Sequence, residues 1–147
     1  MAHTYSCNFF HLVFSTEGRK NLIPTDLQPK LWVYIAGIAG NHGLHAKTGG
    51  GTENHIHLLL DIPPSIQLAK AAQVIKANSS RWMGEHGTKF AWQKGYGSFT
   101  VRMSNVPSVV RYIDNQKEHH KKRSFEEEFL GLLKKHKIPF DPKDIFE

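Results

Sequence analysis

Two histidines one residue apart, His55 and His57 in the stretch ENHIHLLLD, stand at the start of an apolar run. On an extended strand alternate side chains share a face, so both imidazoles stand side by side while Ile56 points the other way. Two neutral imidazoles so placed bind one divalent ion when a third group reaches them from elsewhere in the chain. With ten histidines in 147 residues such a spacing also arises by chance, and polar residues at the mouth of a strand are the plainer reading. Neither a two-cysteine, two-histidine pattern nor His-Glu-x-x-His accompanies the pair, which argues against a structural zinc or a metalloprotease.

A second candidate lies in VPSVVRYIDNQKEHHKK. At 3.6 residues per turn Val106, Val109, Val110 and Ile113 form one apolar stripe, and Tyr112 falls roughly 110° from its centre, at the edge of the buried face. Gln116 follows four residues later on the same side, with His119 continuing the row. A tyrosine there ordinarily packs its ring and leaves its hydroxyl in water. The chemical alternative is a phenol nucleophile attacking a phosphodiester, which requires a nearby cation and a group that orients the phosphate. His55, His57 and Gln116 meet those needs only if strand and helix converge.

Both candidates depend on the elements that carry them. Alternation from Tyr5 to Phe14 predicts a strand with large groups on both faces, hence inside a sheet. TDLQPKLWVYIAGIAGNHG predicts a helix with a capping box at Thr25 and Gln28, Pro29 in its first turn, and Leu27, Leu31, Ile35 and Ile38 inward. Leu44 to Lys47 and HIHLLLD predict two strands joined by a turn or bend at glycines 49 to 51. A second helix follows from an N-cap at Ser65 to about Met83, then YGSFTVRMS alternates as a fourth strand. Strand, helix, strand, strand, helix, strand is the split βαβ order of ferredoxin-like domains, an α+β antiparallel sheet with helices packed on it. A third helix from Ser104 or Asn105 runs through Tyr112 and the basic residues after it. The last helix has a capping box at Ser124 and Glu127, sends Phe125, Phe129, Leu132 and Leu133 to one side, and stops at Pro139. The tail PFDPKDIFE is too short and proline-rich for a further element. With no repeat or linker, residues 1–147 read as one domain with a C-terminal helical extension.

A chain of this length buries roughly two thirds of its unfolded surface, enough for one core. Formal charge of +6 favours an anionic partner. The lone Cys7 excludes an internal disulfide and suits a reducing compartment, so a cytoplasmic location is expected. No run approaches membrane-spanning length.

HLVFSTEGR, HIHLLL, IKANSSRW, WQKGYGSFTV and YIDNQKEHH occur in the order seen in the small single-tyrosine transposases of bacterial insertion sequences, members of the HUH endonuclease superfamily. The resemblance spans about Phe10 to Asp141. It implies that His55, His57 and Gln116 hold Mg²⁺ or Mn²⁺ and that Tyr112 is the nucleophile, leaving a 5′-phosphotyrosine and a free 3′-hydroxyl on single-stranded or hairpin DNA. It also implies a homodimer in which the tyrosine helix of one subunit completes the histidine site of the other. Asn54 stands where the family more often has Asp, which bears on how the first imidazole is oriented.

Nine basic residues fit a DNA substrate: Lys70, Lys76 and Arg81 on the second helix, Lys94 and Arg102 flanking the fourth strand, and Lys117, Lys121, Lys122 and Arg123 ending the tyrosine helix. For any one of them a solvated surface, or a favourable place near a helix C-terminus, is the ordinary explanation. Trp92, Tyr96 and Phe99 are candidates for base stacking, with core packing the commoner use. KGYGSFTV partly imitates the octapeptide signature of RNA-recognition motifs, which share the split βαβ order, so a non-catalytic RNA-binding module is the main rival. Ser98 stands where that signature wants an aromatic, and the segment falls on the fourth strand rather than the third. A metal-dependent phosphodiesterase using activated water, with Tyr112 structural, is the other.

Overall fold

The alternation along Phe9–Ser15 (β1) sends Leu12 and Phe14 to one side and His11, Val13 and Ser15 to the other, and all five are buried. That double burial is possible because β1 lies inside a four-stranded sheet. The computed structural model describes residues 3–146 of the chain. After β1 come α1 (Gln28–Asn41), β2 (His45–Gly51), β3 (His55–Asp61), α2 (Leu68–Glu85), β4 (Gly97–Val101), α3 (Val106–Asp114), the single turn α4 (Gln116–His119) and α5 (Phe125–Lys135). The strands are ordered β2-β3-β1-β4 and every neighbouring pair is antiparallel. This is the ferredoxin-like split βαβ arrangement expected from the element order, with helices added at the C-terminal end.

Helices α1 and α2 cover one face of the sheet. There Leu12, Phe14, Ile56, Leu58 and Leu60 pack against Leu31, Ile35 and Ala39 of α1 and Ala71, Ala72, Ile75 and Met83 of α2. The other face carries two smaller apolar clusters. Phe9 and Leu59 meet Val106 and Ile113 of α3, and Val13 and Phe99 meet Phe125, Phe129 and Leu133 of α5. Between these clusters the same face presents His11, His55 and His57, all buried.

Several boundaries differ from the sequence expectations for identifiable reasons. The first strand begins at Phe9, with Tyr5 exposed before it. No capping box forms at Thr25; Leu27 is the N-cap, and Gln28 turns inward to donate from Nε2 to the Ile23 carbonyl at 3.1 Å. Helix α2 starts at Leu68, with Gln67 rather than Ser65 as its cap. Glycines 49 to 51 are not a turn but the last three residues of β2, and the reversal is made by Thr52, Glu53 and Asn54. Their lack of side chains answers close packing: a methyl group on Gly50 would stand 2.5 Å from the carbonyl oxygen of Ile113 in α3. The tyrosine helix is interrupted at Asn115, whose φ of −101° and ψ of 22° lie outside the helical region, so Tyr112 and Gln116 are on separate segments. The capping of α5 is as expected, with Ser124 Oγ accepting from the Glu127 N–H at 3.1 Å, but the helix ends at Lys135, ahead of Pro139. Beyond it Phe140, Ile145 and Phe146 fold back onto the α5 cluster without forming a helix or strand.

Candidate active site

Both histidines of the pair point into the layer between the sheet and the C-terminal helices, because their odd-numbered positions on β3 share the face that α3 and α5 cover. Tyr112, Gln116 and His120 reach the same point from α3, α4 and the turn after α4. What joins them is Glu128 of α5, a residue with 2% exposure. Its Oε1 accepts from His57 Nε2 at 2.8 Å and from His120 Nε2 at 3.1 Å. Its Oε2 accepts from Gln116 Nε2 at 3.0 Å and from the Tyr112 hydroxyl. His55 Nε2 lies 3.6 Å from Oε1.

Proton positions follow from what each atom faces. A carboxylate only accepts, so the Gln116 nitrogen must point at Glu128 and its Oε1 at His55 Nε2, 2.9 Å away. The Asn54 amide nitrogen faces the Arg19 carbonyl, which turns Asn54 Oδ1 toward His55 Nδ1 at 2.8 Å. With the Thr52 hydroxyl, 3.0 Å from Nδ1, donating to Asn54 Oδ1, this arrangement favours the His55 proton on Nδ1, the tautomer an aspartate at position 54 would also favour. With that tautomer the His55 Nε2 lone pair faces Gln116 Oε1, an oxygen that also lies 3.0 Å from His120 Nε2. A proton on Nε2 does not resolve the contact near neutral pH, since burial, with a smaller contribution from His57, lowers the His55 pKa to about 3. A divalent cation between the two atoms would. For metal–ligand bonds of roughly 2.0–2.2 Å, adjacent donors sit about 3 Å apart, so the spacing and the mix of imidazole nitrogen, amide oxygen and carboxylate fit such an ion.

The remaining charges are consistent with this. His57 Nδ1 lies 2.7 Å from His11 Nε2, and burial, followed by the neighbouring imidazole of His57, keeps His11 neutral, well below the usual imidazole range. His120 faces acceptors on both nitrogens, the Arg123 carbonyl at 2.8 Å and Gln116 Oε1 at 3.0 Å together with Glu128. Burial opposes its charge, but the Glu128 hydrogen bond and charge outweigh that and raise its pKa. Burial likewise opposes ionisation of Glu128, yet hydrogen bonds from His120 and His57 hold its carboxyl far below the ordinary range. Burial, and then Glu128, push the Tyr112 phenol well above its ordinary value, so its resting form is a neutral phenol.

The cluster is reached through Tyr112 and Glu128 on one side and through His120 and Gln116, which line separate clefts, on others. His55 and His57 have no exposure, whereas Tyr112, Glu128 and His11 line a cleft of about 470 Å³ between β4, α3 and α5, with Arg123, Lys135 and His136 on its walls. The sequence resemblance predicted convergence across a subunit boundary. Here the phenol and the imidazoles converge within one chain, the Tyr112 ring centroid lying 5.8 Å from that of His57.

Residues 3–116 match the family described as IS200-like transposases. The chain belongs to that family. It is accordingly a transposase of the single-tyrosine class, and two solved structures share its fold. One is a candidate transposase from Deinococcus radiodurans R1, 22% identical, covering 79% of this chain and 96% of that one with a TM-score of 0.62. The other is a REP-associated tyrosine transposase bound to a REP hairpin, 14% identical, covering 82% of this chain and 73% of that one with a TM-score of 0.61. No curated protein matches the chain at a significant level. Among the described residues no helix is long and apolar enough to cross a membrane.

The basic residues of this transposase do not form one surface. Lys70 and Arg81 are exposed on α2, on the far side of the sheet from Tyr112, and Arg81 engages Asn78 and Glu85. Lys76 is half-buried and donates Nζ to the carbonyls of Gln93, Lys94 and Gly95, so it ties the loop before β4 to α2 rather than offering a free charge. Lys94 and Arg102 are exposed at the two ends of β4. Lys117, Lys121, Lys122 and Arg123 are exposed around the site, Lys121 paired with Glu118 at 3.0 Å. Trp92 and Phe99 are core residues, and Tyr96 alone of the three aromatics is exposed. The rival RNA-binding reading needs an open sheet face with its aromatics free; α3 and α5 cover that face, and Phe99 is 2% exposed beneath them.

Glu128, His120 and His11 were not singled out in the sequence. Glu128 left a signal all the same: it falls between Phe125 and Phe129 on the apolar side of α5, where a charge needs an explanation.

Proposed function

We propose that this transposase cleaves and rejoins single-stranded or hairpin DNA through a covalent 5′-phosphotyrosine, with Tyr112 as nucleophile and a divalent cation, Mg²⁺ or Mn²⁺, held by His55, His57 and Gln116. The observation that carries it is the convergence of His55 Nε2, His57 Nε2 and Gln116 with the Tyr112 hydroxyl on one carboxylate, His55 Nε2 and Gln116 Oε1 lying 2.9 Å apart. When bound, the cation would supply Lewis-acid polarisation of the scissile phosphate. The chain supplies the rest. α3 fixes the phenol at the floor of the cleft, Arg123 and Lys135 on its walls favour a phosphate there, and burial keeps competing water from the histidines. As the phenolic oxygen bonds to phosphorus, its proton passes to the Glu128 carboxylate that accepts from it, the bond from phosphorus to the 3′-oxygen breaks, and that oxygen takes up a proton to leave as the 3′-hydroxyl. The phosphotyrosine keeps an activated diester, so a second DNA 3′-hydroxyl reverses the step and joins new strands without ATP.

A homodimer remains part of this reading as the assembly that brings two DNA ends together, but not as a condition for completing each site. We assign it to the cytoplasm and treat residues 1–147 as one functional unit. The test is incubation with labelled single-stranded DNA of the native end sequence and Mn²⁺, followed by denaturation. A covalent adduct that disappears in Tyr112→Phe is expected. Cleavage without an adduct would replace this mechanism by hydrolysis through water, and binding without cleavage would restore the RNA-recognition-like alternative.

A further inference from the structure

We propose that Glu128 is the anionic ligand of the cation centre, so that the site is completed by a helix outside residues 3–116, the region matching the family. The inference rests on the cation-dependent reading above and adds a residue to it. His55, His57 and Gln116 are all neutral donors, and a dication among them would be buried with no compensating charge, which is strongly unfavourable. Glu128 supplies the missing charge. Its Oε1 lies 2.8 Å from His57 Nε2 and 3.6 Å from His55 Nε2, the spacing of adjacent ligands around one ion. Its other oxygen takes the Tyr112 hydroxyl, so the same carboxylate ties the nucleophile to the centre.

The placement of Glu128 is built into α5. Phe125, Phe129 and Leu133 dock the helix on Val13 and Phe99, Ser124 caps its first turn, and Glu128 shares the docked face between the two phenylalanines. A carboxylate on an apolar stripe weakens that packing unless it has a partner of opposite charge or a metal. The competing role is that of a place-holder, in which the carboxylate fills the centre at rest and gives way to the ion. The two roles predict opposite effects of removing its charge.

The test is Mn²⁺ binding to the full, metal-stripped chain, read by calorimetry and by loss of the free-ion electron paramagnetic resonance signal, with no DNA present. Glu128→Gln is expected to weaken binding about 100-fold and to remove the rise in melting temperature that Mn²⁺ gives the wild type, with Glu128→Asp in between. Equal or tighter binding by Glu128→Gln would overturn the assignment in favour of the place-holder. A folded wild type that takes up no Mn²⁺ would instead overturn the cation-dependent reading beneath it. Should Glu128→Gln fail to fold, wild-type protein made with carboxyl-¹³C glutamate decides the matter. A ¹³C coupling on bound Mn²⁺ supports ligation, since Glu128 is the only glutamate of the cluster among the described residues, and its absence overturns it.

Discussion

The two faces of one sheet are buried for different reasons. Toward α1 and α2 the alternate residues of β1 and β3 are Leu12, Phe14, Ile56, Leu58 and Leu60, and what they meet is aliphatic or aromatic. Toward α3 and α5 the intervening residues of the same strands include His11, His55 and His57, and what they meet is a ring of hydrogen-bonding groups around Glu128. One face is held by apolar area, which tolerates exchange of one hydrophobe for another. The other sets between two smaller apolar clusters a network in which each polar atom needs its partner, so local changes there carry a chemical cost out of proportion to the volume removed. The sheet thus separates the part of the molecule that keeps it folded from the part that acts.

The sharpest way to break this separation is at Tyr112. Tyr112→Phe should reduce covalent DNA adduct by about a thousandfold or more while changing urea stability by no more than about 1 kcal/mol, since one hydroxyl is lost and the ring stays. The converse change is Phe14→Ala on the apolar face, which should cost about 3–5 kcal/mol in urea unfolding and leave adduct formation per folded molecule intact. If Phe14→Ala silences the chemistry at full folding, the two faces are not independent.

Acid should distinguish the faces next. The folded pKa of His55 is about 3, below the ordinary 6.5, so between those values the unfolded chain binds more protons. The His55 contribution is complete above about pH 6.5 and is lost as pH falls toward 3. Glu128, also lowered, acts in the same sense below the ordinary carboxylate range. His120, with a raised pKa, acts oppositely: its contribution is present at low pH and fades as pH rises through the raised value. The unfolding free energy from urea titrations should therefore fall by roughly a few kcal/mol from pH 7 to pH 4 in the metal-free protein, with the slope flattened in His55→Gln and unchanged in Phe14→Ala. The smallest effect is expected at Lys76→Met, which removes three carbonyl contacts behind β4. It should lower stability by about 1 kcal/mol, with DNA affinity unchanged because that ammonium already faces the protein's own carbonyls.

The apolar face was legible in the sequence because period and hydrophobicity coincide there: Leu31 and Ile35 of α1 and the run from Ile56 to Leu60 fall where their spacing puts them. His55, His57, Tyr112 and Gln116 were legible as residue types and, through the family pattern, as a set. Their meeting at Glu128 was not, since His57 and Glu128 are 71 residues apart and a lone glutamate on an amphipathic helix carries no motif. The glycines after Thr48 were misread because a turn and a close backbone approach leave the same mark in a sequence. The break at Asn115 was hidden because the helical period of side chains runs on across it.

The contact between Gly50 and the Ile113 carbonyl has a consequence for inheritance. The reach of the phenol toward the imidazoles is fixed there by main chain lying on main chain, one position along from the tyrosine. A codon change that adds a single carbon to an edge strand, at a position that carries no reactive group itself, would lift the whole arm that bears Tyr112. It would be scored genetically as a lesion in catalysis.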